Sequence, residues 1–228
     1  MNVRGARLLA VTLVGLGIVA YSAWLLEFFL DTGISPLHTP VRELMRPGRP
    51  YQELFRVAGF VSGAGFLLAG PPLVRMAPLH WKARLSAGAV SAFGALLLFD
   101  AACPVNRGIE LALNVSFVVG TGSLALWWPP GWRSFAVYSL VITVVTWLCL
   151  LVLTELGPDH FAGVVSRLQA LTRVVVLVVG TAYLFRDPGV HRRNETPKPS
   201  VPEETISPTS RAEGNGVRHG RARQADRG

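Results

Sequence analysis

The sequence predicts an all-α fold, a six-helix transmembrane bundle with a disordered C-terminal tail. Three observations lead there. Half of the 228 residues are hydrophobic and only 16% are charged, below the quarter usual in soluble domains. Six apolar runs lie between residues 8 and 185, each near the roughly 20 residues needed to cross about 30 Å of hydrocarbon. Residues 186–228 carry almost no large apolar side chain and are rich in Arg, Pro, Glu, Ser and Gly. Such a segment cannot bury enough apolar surface to offset its ordering entropy. The chain therefore reads as a transmembrane domain over residues 1–185 and a disordered, basic, cytoplasmic tail over residues 186–228.

The first run, Leu8–Leu30, follows Arg4 and Arg7. It is too long for the apolar core of a signal peptide, and Trp24, Leu25 and Leu26 stand where small residues would mark cleavage. It is read as an uncleaved first span. The next five are expected at about 55–74, 85–102, 109–128, 134–156 and 164–185. Connections are short except for the stretch between the first two spans. There Thr39-Pro40 is a plausible helix start, and Val41, Leu44 and Met45 form a small apolar face opposite Arg42, Glu43 and Arg46. This reads as a short interfacial helix over the outer mouth of the bundle, or as a passive connector.

Orientation follows from Lys and Arg. With the N-terminus inside, the cytoplasmic side holds Arg4, Arg7, Arg75, Lys82, Arg84, Arg133 and the tail, 15 of the 22 basic residues. The loops alone decide weakly; the N-terminus and the tail tip the balance. Trp81, Trp127, Trp128 and Trp132 fall at the same inner interface, where amphipathic rings prefer to sit. The net charge of +8 thus flanks apolar spans instead of forming a basic stripe on a soluble domain, and no nucleic-acid partner is expected. Cys103 and Cys149 form no disulfide framework.

Small residues recur at four-residue spacing at Gly59 and Gly63, at Ala87, Ser91 and Ala95, and at Ser116 and Gly120. Such faces let helix backbones approach closely, either within the bundle or in a homodimer. The fifth run, with Val141, Ile142, Val145, Leu148 and Leu151, is expected to face lipid.

Acidic residues contribute little to topology, yet Glu27, Asp31, Glu43, Glu53, Asp100, Glu110, Glu155 and Asp159 all fall towards the outer side. An outward-facing polar vestibule accounts for that bias. A rise of about 1.5 Å per residue puts Asp100 about 22 Å up the third span, roughly 8 Å below the outer edge. Arg173 on the sixth span and Asn114 on the fourth fall in the same layer, with Gln169 on the face of Arg173. A lone charge there costs roughly 2.5–3.5 kcal/mol on insertion scales and normally turns inward to a partner. An Asp100–Arg173 ion pair with Asn114 and Gln169 as hydrogen-bonding neighbours is the economical expectation. With Glu27 and Arg56, at the outer ends of the first two spans, these residues make up the candidate binding pocket. It reads either as the floor of a binding site or as a buried pair that fixes helix register.

No catalytic residue, metal ligand or cofactor is assigned. His38, His160, Asp159 and Asp100 could supply ligand atoms, but no two histidines share a helix face and no ligand-spaced motif occurs. No Gly-x-Ser-x-Gly elbow is present. The Asn194-Glu195-Thr196 sequon lies in the cytoplasmic tail and is expected to be silent.

The string from Arg42 to Arg56, with Pro47-Gly48-Arg49-Pro50-Tyr51 followed by Leu54-Phe55-Arg56, and Asp100 before Cys103-Pro104, resembles a family of uncharacterised bacterial multispanning membrane proteins. Its members typically show a Pro-Gly-x-Pro-Tyr and Leu-Phe-Arg pattern after the first span. Many carry a second outer cysteine and histidines before the fourth span, where this chain has Arg107-Gly108-Ile109-Glu110. The resemblance covers about residues 8–185 and implies a fold and a membrane location, not an activity.

Three functions follow as expectations. The leading one is a non-enzymatic, multi-pass protein of the cell membrane, both termini cytoplasmic, whose outer pocket binds a membrane lipid or an envelope partner protein. The alternatives are a small transporter or channel-like protein, needing a polar path through the inner half, and a membrane-embedded lipid hydrolase, needing a nucleophile or metal. The topology has a direct test. Cys103 should react with a membrane-impermeant thiol reagent in intact cells, and a cysteine introduced by Ser210→Cys should not. Labelling of the tail in sealed cells would refute the orientation.

Overall fold

The computed structural model describes residues 3–77, 80–103, 106–156 and 161–186. The tail, Asp159 and His160 lie outside the described residues. Six α-helices follow one another: α1 Val3–Tyr21, α2 Gln52–Met76, α3 Trp81–Ala102, α4 Arg107–Trp127, α5 Pro130–Leu156 and α6 Ala162–Arg186. Six helical segments are long and apolar enough to cross a membrane, and no strand occurs among the described residues. The chain is an all-α membrane protein.

The helices run beyond the apolar runs by a few residues at several ends. Gln52, Glu53 and Lys82 continue the backbone ladder after hydropathy has dropped, because helical hydrogen bonds serve equally well in the headgroup region. The first span differs in kind. It leaves α-geometry after Tyr21 and finishes as a 3-10 segment, Ser22–Phe28. Side chains three apart eclipse in that geometry, and Trp24 and Glu27, three apart, are both buried. Pro71 and Pro72 remain inside α2.

Successive helices pack side by side and α6 returns against α1. α1, α3 and α5 therefore lead to one end, which collects residues 22–51 and the α3–α4 and α5–α6 connections; it is called the loop end below. The closest approach is between α2 and α3. A Cβ added at Gly63 would lie 2.8 Å from the Gly94 carbonyl oxygen, and one at Gly94 would lie 2.7 Å from that of Gly63. Ser62 Oγ donates to the Gly17 carbonyl at 3.0 Å, and Ser116 Oγ to that of Ala89 at 3.2 Å. The small-residue stripes thus serve contacts within the bundle. On α5 the residues Val141, Ile142, Val145, Leu148 and Leu151 are exposed, as lipid-facing residues would be.

The middle of the bundle is aromatic. Phe66, Phe93 and Phe117 from α2, α3 and α4 stack in a row at centroid separations of 5.8 and 5.7 Å, with Tyr21 against Phe93. Beyond this layer, towards the amino-terminal end, Ala10, Val14, Ala69 and Leu73 continue the core. At that end Trp127, Trp128 and Trp132 gather around Tyr183. Trp81 stays outside this group and is exposed.

The long connection is folded down onto the bundle. Arg46, Pro47, Gly48 and Arg49 close a turn, the Arg49 amide donating to the Arg46 carbonyl at 3.3 Å, with Gly48 at φ +85°. Proline followed by a positive-φ glycine is the type II arrangement. The expected short helix exists as a 3-10 turn, Val41–Met45, with Pro40 outside it as N-cap rather than as its first residue. Its apolar face is turned into the bundle. Leu44, only 2% exposed, packs with Trp24, Phe55 and Ala170, so the segment plugs the loop end.

The helix contact gives a paired test. Gly94→Ala places a methyl against backbone that cannot yield and should destabilise by about 1–3 kcal/mol, as overpacking does. Gly88→Ala on the same helix meets nothing within 4 Å and should be neutral or stabilising by up to about 1 kcal/mol. A thermal-shift assay in detergent compares them; equal midpoints would refute the close α2–α3 packing.

Candidate functional site

A cavity of about 440 Å³ opens at the loop end, within the range of roughly 300–1,000 Å³ typical of small-molecule sites. All six helices contribute to its wall, and the Val41–Met45 turn forms its roof. Asp100, Asn114, Gln169 and Arg173 all line it. Helix rise puts Asp100, Asn114 and Arg173 in one layer, with Gln169 on the face of Arg173, and Asn114, Gln169 and Arg173 form one hydrogen-bonded cluster. Asn114, 1% exposed, is the hub. Its Oδ1 accepts from Gln169 Nε2 at 2.7 Å and from Arg173 Nη2 at 2.7 Å, and its Nδ2 donates to the Glu110 carbonyl at 2.9 Å. Arg173 Nη1 donates to the Tyr21 hydroxyl at 3.1 Å. The guanidinium lies 5.9 and 5.8 Å from the ring centres of Phe93 and Phe117, within cation–π range. The aromatic layer is thus the floor on which Arg173 rests.

The direct Asp100–Arg173 ion pair expected from depth does not form. Asp100 instead faces Arg42, whose Nη2 is 3.6 Å from Oδ1. That arginine also donates to Glu110 at 2.6 Å and to the Asn106 carbonyl at 2.9 Å. Depth along a helix could not locate Arg42, because a loop has no fixed rise and this one reaches down into the mouth. Its signal in the sequence was its place on the polar face of an amphipathic turn. Trp147 is a second lining residue that sequence reasoning did not single out.

Glu27 and Arg56 do not line the cavity. Glu27 is paired with Arg167 of α6, both buried: Arg167 Nε donates to one carboxylate oxygen and Nη2 to the other, the latter at 2.6 Å. Nη1 of the same arginine donates to the carbonyls of Thr39 and Gly163, each at 2.9 Å. Four donors spent on three segments make this an anchor for the long connection. Two charges of opposite sign within apolar runs, at the same end of the bundle, are its sequence signal. Arg56 is a lesser tie, with Nε donating to the Ala101 carbonyl at 3.1 Å.

Ion pairing around the cavity is uneven. Arg42 holds Glu110, Arg46 holds Glu43 at 3.0 Å, and Arg107 holds Glu155 at 3.4 Å. Among the described residues that line the cavity, Trp24 Nε1, Asp100 Oδ1 and Arg173 Nε are buried without a hydrogen-bond partner. Among the described residues no three His, Cys, Asp or Glu side chains converge as a metal site would require.

The profile of the DUF998 family, described as a protein of unknown function, matches residues 13–183. The chain belongs to the DUF998 family. The match spans all of the bundle but the start of α1 and the end of α6, and so includes the cavity and its roof. Comparison with curated proteins and with solved structures returns no match.

Two of the ion pairs of this DUF998 chain, Glu27–Arg167 and Asp100–Arg42, should behave differently when broken. Glu27→Ala strands a buried guanidinium and should destabilise by about 3–5 kcal/mol, the range for half-broken buried pairs. For Asp100, a double-mutant cycle with Arg42→Gln should give a larger coupling energy than one with Arg173→Gln, since only Arg42 is in direct contact. Thermal-shift midpoints measure both; a stronger coupling to Arg173 would overturn the observed pairing.

Proposed function

We propose that this DUF998 protein is a multi-pass protein of the cell membrane, with both termini cytoplasmic, whose outward-facing cavity binds a membrane lipid. One observation carries the reading: the cavity joins a polar floor to an apolar side wall that continues onto the lipid-facing surface. The floor is Arg173, Asn114, Gln169 and Asp100; the wall includes Leu111 and Leu151, which line the cavity and are also half exposed on the outside of α4 and α5. A headgroup held inside with its chains leaving past these leucines fits both surfaces at once. A purely soluble ligand gives no reason for the apolar side opening.

Passage through the bundle is less favoured. Beneath Arg173 the three stacked phenylalanines fill the centre, with Phe66 and Phe93 almost fully buried. The hydroxyls that could have marked an inner path are turned back onto their own helices: Thr121 donates to the Phe117 carbonyl, Ser123 to that of Gly120 and Thr181 to that of Leu177. A hydroxyl that donates to its own helix has no proton left to offer a passing solute.

The test is lipid retention. Protein purified in mild detergent should carry bound lipid visible by native mass spectrometry. Ala58→Phe, which projects a ring into the cavity from α2, should abolish retention while leaving the helical circular-dichroism spectrum unchanged. Retention unaffected by the ring would place the lipid elsewhere, and an envelope protein co-purifying in place of lipid would replace this reading.

A further inference from the structure

We infer that the cavity takes a zwitterionic headgroup in which a primary ammonium stands next to a phosphate, the ammonium donating to Asp100 and the phosphate accepting from Arg173. The inference rests on the amphiphile-binding reading above and names its chemistry. It starts from charge balance. The cavity wall carries four arginines and four carboxylates. Three of each are joined in the direct pairs Arg42–Glu110, Arg46–Glu43 and Arg107–Glu155. Of the remaining two charges, Asp100 shares Arg42 with Glu110 at 3.6 Å and Arg173 pairs with no carboxylate among the described residues; the two share no direct contact, and each has spare hydrogen-bonding capacity.

Asp100 is 6% exposed, and its nearest cation, Arg42 Nη2 at 3.6 Å from Oδ1, stands beyond ordinary N–H···O hydrogen-bond distance. An ionised carboxylate has about four acceptor positions over two oxygens, so this one is left greatly under-used in a setting where burial makes that costly. Arg173 spends one Nη on Tyr21 and the other on Asn114, while its Nε is buried with no partner. A fixed arginine fork with a free N–H suits a phosphate oxygen. Both residues line one cavity, and Arg173 rests on its aromatic floor.

Those requirements separate the common headgroups. A primary ammonium brings three N–H donors and can fill Asp100. A trimethylated ammonium brings none, and a glycerol headgroup brings no cation. An anionic headgroup alone would answer Arg173 and leave Asp100 facing added negative charge in a wall that otherwise balances. Phosphatidylethanolamine offers both groups from the membrane; free phosphoethanolamine offers the same pair from solution.

The full-length protein is reconstituted in nanodiscs containing equal parts of phosphatidylethanolamine and either phosphatidylcholine or phosphatidylglycerol. The lipid retained after mild detergent extraction is then quantified by native mass spectrometry. Phosphatidylethanolamine should be retained about tenfold over each competitor, the equivalent of one charge-assisted hydrogen bond. Asp100→Asn should erase the preference over phosphatidylcholine, and Arg173→Gln should lower retention of every phospholipid. Equal retention of all three lipids by the unmodified protein would overturn the zwitterion assignment and leave the lipid reading standing. That comparison needs no variant, so it holds even if Asp100→Asn fails to fold. Retention of no lipid, with phosphoethanolamine binding measured by calorimetry, would keep the zwitterion chemistry and refute the membrane source. Failure of both would overturn the two readings together.

Discussion

The ion pair between Glu27 and Arg167 is the interaction on which the loop end depends. A two-pronged contact between a buried carboxylate and a buried guanidinium is tolerable in an apolar setting only when the remaining donors are also used. Arg167 meets that condition by donating to Thr39 and Gly163. The consequence is geometric. Residues 22–51 are held against α6, the Val41 amide reaches Ser166 Oγ at 3.1 Å, and the Val41–Met45 turn is set down over the mouth. Leu44 then fills the space between Trp24 and Phe55, and Arg42 is delivered to Asp100 and Glu110.

Below this anchored roof the bundle is asymmetric along its length. The amino-terminal part and the middle are packed with small residues and phenylalanines; Thr121, Ser123 and Thr181 there donate within their own helices, and Ser62 and Ser116 donate to the backbone of a neighbouring helix. The loop end keeps its polar groups for contacts between helices: Tyr21, Asp100, Asn114, Gln169 and Arg173 come from α1, α3, α4 and α6. Concentrating polar contacts at one end leaves one apolar seal and one polar hollow. That division favours binding at a surface over conduction through it.

The partnerships inside the hollow divide structural from available charge. Glu27 and Arg167 are paired with each other through two hydrogen bonds, and neither lines the cavity. Asp100 and Arg173 line the cavity with hydrogen-bonding capacity to spare. In the proposed reading, stability and ligand binding fall to separate pairs, so that a perturbation at the hollow need not unfold the chain. Arg42 lies between the two roles, since it closes the roof on Glu110 and faces Asp100 at the same time.

By itself, the sequence determined that the chain is a six-helix membrane bundle. Apolar length and helical rise are local properties, and they were enough to place Asp100, Asn114 and Arg173 in one layer, with Gln169 on the face of Arg173. The stripes through Gly63 and Ser116 likewise announced close helix packing before any partner was known. Only the tertiary structure decided which side chains meet. Helix rise measures depth but not rotation about the axis or the path of a connection, so the Asp100–Arg173 pair was expected where Asp100 in fact faces Arg42. The same limit assigned Glu27 and Arg56 to the pocket, although Glu27 turns to Arg167 and Arg56 to the Ala101 carbonyl. Depth along a span is written in consecutive residues, whereas pairing across the bundle depends on how distant segments pack together.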